Sequence, residues 1–99
     1  NRLRRVPREL CALSELVELN LHNNELERLP RHVGRMAALQ NVRVSANRLD
    51  ALPSSMAHCA RLAMLDVGAN ALAALPDWLG RLTALQELNA FGAPPSRTR

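Results

Sequence analysis

The sequence predicts an α/β solenoid, with a short curved parallel sheet on the concave side, short helical returns on the convex side, and one core running through the stack. Two observations carry this. The first is a repeat. Asn1, Asn24, Asn47 and Asn70 recur at a step of 23 residues, Leu3, Leu26, Leu49 and Leu72 follow two places behind, and Pro7, Pro30, Pro53 and Pro76 keep the same step. The second is that seven columns of the unit are apolar in every copy. In the first unit they are Leu3, Val6, Leu10, Leu13, Leu16, Leu19 and Leu21, and the fourth unit ends the same columns with Leu72, Leu75, Leu79, Leu82, Leu85, Leu88 and Ala90. At the chain's hydrophobic content of 47%, an unbroken set of this size would arise by chance roughly once in a billion.

Each element follows from spacing inside the unit. The pairs Leu19 and Leu21, Val42 and Val44, and Leu65 and Val67 lie two apart, the period of a strand, while the apolar positions after them lie three or four apart, the period of a helix. A unit is therefore a strand, a turn and a short helical return. One such unit cannot bury its apolar face, but stacked copies align their columns into a continuous core. Proline at the start of each return suits the first turn of a helix, where its missing N–H has no intrahelical partner to lose. Cys11, Gly34, Ala57 and Gly80 share one column, which marks a place for small side chains only. Asn24, Asn47 and Asn70 form a structural ladder that would satisfy backbone groups where the chain turns out of the sheet.

The run Leu16-Val17-Glu18-Leu19-Asn20-Leu21-His22-Asn23-Asn24-Glu25-Leu26 resembles the leucine-rich repeat pattern L-x-x-L-x-L-x-x-N-x-L. With Leu26-Glu27-Arg28-Leu29-Pro30 and Leu72-Ala73-Ala74-Leu75-Pro76, the 23-residue unit resembles the Ras-group class of intracellular leucine-rich repeat proteins. The resemblance covers residues 1 to about 93. It implies scaffolds and adaptors that bind other proteins.

Composition narrows the function. The 99 residues hold one Trp, one Phe and no Tyr, so repetition rather than aromatic anchors must hold the core. No apolar run approaches the roughly 20 residues needed to cross a bilayer, and no short apolar segment behind a basic start suggests a signal peptide. Residues 1–93 read as about four repeats, the first beginning in mid-unit, and residues 94–99 as a disordered tail or linker after Pro94 and Pro95. The expectation is a segment of a longer chain. Cys11 and Cys59 lie in different columns two repeats apart, roughly 10 Å at the strand spacing, beyond disulfide reach. Free thiols and the absence of an N-x-S/T sequon lead to an expected intracellular, cytoplasmic location.

Catalytic chemistry finds no constellation in this pattern. His22, His32 and His58 occupy three different columns, and Cys59 sits in an apolar core column beside His58 rather than facing it. No catalytic, metal or cofactor motif is present. The formal net charge is +4 and every basic residue is Arg, which raises nucleic acid as a partner. Only Arg2, Arg4, Arg5 and Arg8 form a dense basic run, however, and aromatics for base stacking are almost absent, so no nucleic-acid partner is expected.

The outward positions of the strands remain. Their columns are Glu18, Asn41, Met64 and Glu87; Asn20, Arg43, Asp66 and Asn89; and His22, Ser45, Gly68 and Phe91. These vary from unit to unit while the core columns do not, as expected of a surface free of packing constraints. Met64 and Phe91 are candidate apolar anchors, and Arg43 and Asp66 candidate orienting charges. The predicted function is a non-catalytic module that binds a partner protein on this concave face. The alternative is a structural spacer with no partner of its own.

Overall fold

The computed structural model describes residues 3–72 and 74–90. The element order is η1 (Arg8–Ala12), β1 (Glu18–Asn20), η2 (Val33–Arg35), β2 (Asn41–Arg43), η3 (Ser54–His58), β3 (Met64–Asp66), η4 (Asp77–Arg81) and β4 (Glu87–Asn89). The returns η1 to η4 are 3-10 helices. Among the described residues no helix is long and apolar enough to cross a membrane.

The four strands form one parallel sheet in chain order. Leu19 pairs with Val42, Val42 with Leu65, and Leu65 with Leu88, so every unit adds in register at its 23-residue step. The fourth strand is as long as the others. Ladder bonds continue beyond the strands: Leu21 donates its N–H to the Arg43 carbonyl, Val44 to Asp66 and Val67 to Asn89, each at 2.8 Å.

Parallel stacking makes burial depend on having a neighbour on both sides. All seven apolar columns of the second unit are buried, from Leu26 and Leu29 to Val42 and Val44. In the outer units the same columns open: Leu3 is 50% exposed, Leu13 51% and Leu88 40%. At roughly 1.5–3 kcal/mol for each fully buried large aliphatic side chain, the second and third units hold most of the hydrophobic stabilisation.

Proline stands one place before three of the four returns, whereas η2 has His32 as its N-cap and Pro30 three places before its first residue. Pro7, Pro53 and Pro76 are the N-cap residues of η1, η3 and η4, with φ of −59°, −65° and −69°. Their carbonyls accept the first 3-10 bonds, from Leu10 at 3.0 Å, Met56 at 3.1 Å and Leu79 at 3.3 Å. Proline thus supplies the acceptor and a preset φ, and loses nothing by lacking an N–H. The small-residue column is not uniformly tight. A Cβ on Gly34 would lie 2.0 Å from the Ser55 carbonyl oxygen, whereas one on Gly80 would meet nothing within 4 Å. The constraint comes from the next return packing against that residue, and no described element packs against Gly80.

The asparagine column lies beside the core. Asn47, 8% exposed, donates its amide to the carbonyls of Leu21, Val44 and Ser45 at 2.9, 3.0 and 3.1 Å and accepts the Leu26 N–H at 3.0 Å. Asn70 repeats the pattern one unit on, with Val44, Val67 and Gly68 as acceptors and Leu49 as donor. Asn24 donates to Leu21 and His22 and accepts from Leu3. One side chain therefore ties its own turn to the preceding unit. The residue before it is held at positive φ: 63° at Asn23, 56° at Ala46 and 54° at Ala69.

Candidate functional site

The exposed face of the sheet is built by the residues that alternate with Leu19, Val42, Leu65 and Leu88. In the first column Glu18 and Glu87 are exposed and Asn41 and Met64 half-buried. In the second, Asn20, Arg43 and Asn89 are exposed and Asp66 half-buried. The third narrows along the stack: His22 is exposed, Ser45 half-buried and Gly68 buried. Phe91 lies outside the described residues. Met64 is the single apolar side chain among the described members of these columns.

Hydrogen bonds on this face join strand neighbours and tie side chains to their own turns. The Asn41 amide donates to Glu18 Oε2 at 3.4 Å, along the 23-residue step. The His22 ring nitrogen Nδ1 and Asn20 Oδ1 are partners within β1 and its exit turn. Asp66 Oδ1 accepts the Gly68 N–H at 3.2 Å, which fixes the carboxylate against its own turn. Arg43 and Asp66 are Cα partners across β2 and β3, yet they form no ion pair. Among the described residues the single ion pair joins Arg4 Nε to Glu25 Oε1 at 3.4 Å, away from this face. The Arg43 guanidinium is left facing solvent.

The side chains with catalytic potential stand apart. His22 is at the exit of β1, His32 immediately before η2, and His58 is the last residue of η3. Cys11 and Cys59 are free and buried. Burial pushes the Cys59 thiol above its ordinary value, and its Sγ lies 4.0 Å from the Val33 carbonyl. Cys11 is also pushed up by burial, with the Arg35 charge pulling the other way.

In-register parallel strands, 3-10 returns, proline N-caps and an asparagine ladder define a leucine-rich repeat solenoid. The chain belongs to the leucine-rich repeat family, matching the description of a leucine-rich repeat region over residues 5–98. It is similar to the solved structure of a leucine-rich repeat protein of Leptospira interrogans, with a TM-score of 0.88 and 31% identity over 98% of this chain and 25% of that one. The chain spans about a quarter of that relative's length. No curated protein sequence matches it. Leucine-rich repeat domains are in general protein-interaction modules, and typically non-enzymatic ones.

Sequence spacing located the outward columns but left two features unseen. The third column narrows as its side chain shortens from His22 to Ser45 to Gly68, and the turns there are joined from unit to unit, Asn23 and Ala46 donating their N–H groups to the Ser45 and Gly68 carbonyls at 2.9 and 3.0 Å. The left-handed residues that shape this turn carried one faint signal, Asn23, since asparagine tolerates positive φ better than alanine.

Proposed function

We propose that the exposed, concave face of the sheet docks a partner protein, and that the chain acts as an intracellular module of scaffold or adaptor type. The observation that supports this is a contrast between columns. Core and asparagine positions repeat their chemistry in every unit, whereas the outward columns run Glu, Asn, Met, Glu and Asn, Arg, Asp, Asn. Met64 is an apolar side chain ringed by polar ones, the arrangement of an anchor inside a polar rim. Arg43 has an unpaired guanidinium, and Asp66 is fixed in place by Gly68, so the two give orientation rather than mutual neutralisation.

Size sets how the docking works. Four strands span roughly 14 Å at the usual strand spacing. Strands of three residues add roughly 10 Å in the other direction, a face short of the about 800 Å² per side of a standard interface, so the turns beside the strands join the contact. The Ras-group resemblance and the two free, buried thiols support an intracellular setting.

The test is a combined Arg43→Glu, Met64→Ala, Asp66→Asn variant of the full-length protein. Asp66→Asn keeps an oxygen for the Gly68 N–H. Loss of the co-purifying partner with an unchanged circular dichroism spectrum supports the reading. Retention of that partner at wild-type yield refutes it and leaves the chain a spacer.

A further inference from the structure

The face of the coil opposite the sheet is unevenly packed, and the reason is visible in two facing columns. Cys11, Gly34 and Ala57 stand opposite His32, Ser55 and Trp78 of the next unit. Where Gly34 faces Ser55 the returns η2 and η3 meet directly, the Gly34 N–H donating to Ser55 Oγ at 3.0 Å. Where the facing pair is larger the returns stand off. A cleft of 330 Å³ between η1 and η2 is lined by Arg8, Cys11, Ala12, His32 and Arg35. A second, of 540 Å³ between η3 and η4, is lined by Ser54, Ala57, His58, Asp77, Trp78 and Arg81.

The two clefts differ in charge balance. Arg81 shares its cleft with the Asp77 carboxylate. The η1/η2 cleft holds two guanidinium groups and an imidazole and no carboxylate. We propose that the η1/η2 cleft is an oxyanion site that takes a phosphoryl group between Arg8, Arg35 and His32. Guanidinium forks match the oxygens of a tetrahedral oxyanion two at a time, and the imidazole adds a further donor. Neither arginine is neutralised by an ion pair among the described residues. The cleft is roomy for a tetrahedral anion that keeps part of its hydration, a liquid water occupying about 30 Å³. Positive potential reaches its floor, since the Arg35 charge acts on the Cys11 thiol against the effect of burial.

The three histidines provide the readout, because each reports a different place: His32 this cleft, His58 the second cleft and His22 the strand face. Inorganic phosphate is titrated into the intact protein at fixed pH and ionic strength, with chloride as the balancing anion, while the imidazole resonances are followed. A saturable shift of His32 alone is expected. Arg35→Gln or Arg8→Gln is expected to weaken phosphate binding about tenfold, the loss of one charge-assisted contact, while Arg81→Gln leaves it unchanged. A non-saturating response, or equal shifts of His22, His32 and His58, overturns the proposal, as does binding indifferent to Arg35→Gln in a folded variant. A phosphoserine peptide distinguishes the source. Tighter binding than inorganic phosphate at His32 supports a phosphorylated chain as the ligand, and equal binding supports the free anion.

Discussion

The backbone N–H of Gly34 donates to the hydroxyl of Ser55 at 3.0 Å, and a methyl group on Gly34 would lie 2.0 Å from the Ser55 carbonyl oxygen. Two adjacent returns are joined by a contact that no other residue type allows. Gly34→Ala is expected to destabilise the fold by about 2–4 kcal/mol, as backbone must move to admit the methyl group. Gly80→Ala, one column member with open space around it, is expected to be neutral or stabilising by up to about 1 kcal/mol. Urea denaturation of the two variants measures the difference, and equal effects would show that the column has one common environment.

Asn47 makes four hydrogen bonds to main-chain groups of two units. Asn47→Ala leaves the Leu26 N–H without its acceptor and several carbonyls without their shared donor, an expected loss of about 3 kcal/mol. Asn47→Asp is expected to be as harmful, since a carboxylate placed against the Leu21, Val44 and Ser45 carbonyls repels where the amide donated. Asn24→Ala should cost less, because Asn24 is only half-buried and ties down the first described unit. Thermal unfolding of the three variants gives the order. A milder effect at Asn47 than at Asn24 would contradict the ladder's central role.

Ala46 and Ala69 hold φ of 56° and 54°, a region costing a residue with a Cβ about 1–2 kcal/mol. Glycine relieves that strain but frees the unfolded chain, so Ala46→Gly and Ala69→Gly are each expected to be stabilising by about 0.5 kcal/mol net. A rise in melting temperature checks this. A loss comparable to that of glycine in a regular strand would mean the turn relaxes without the left-handed residue.

Both thiols are pushed above the ordinary value of 9.0 by burial, and Cys59 has no opposing charge. Raised folded values favour the protonated thiol in the native state. This contribution is fully present below about pH 9 and declines as pH rises above it, toward the folded values. Stability measured by urea unfolding at about pH 8 and pH 10 should therefore fall, and the fall should shrink in Cys59→Ala. An identical pH dependence in that variant would place the titration elsewhere.

Much of the fold was legible in sequence because a fixed period of 23 residues forces equivalent side chains into equivalent places. Leu19, Val42, Leu65 and Leu88 stand in register as that period requires. The outward columns follow from the same alternation, which is why Arg43, Met64 and Asp66 could be placed on one face. Periodicity is blind to what differs between units, however, and there the sequence was misleading. Gly34 and Gly80 looked equivalent and are not. Gly68 counted as an outward position and is buried.

The unit, its column chemistry and the order of stacking follow from the covalent spacing of side chains alone, which recurs every 23 residues. Tertiary structure decided how closely one return approaches the next, which residue turns left-handed and where clefts stay open. Those outcomes depend on pairs of residues brought together from neighbouring units, such as Gly34 with Ser55 and Cys11 with His32. No single unit contains both members of such a pair, so their fit is settled only when one unit stacks on the next.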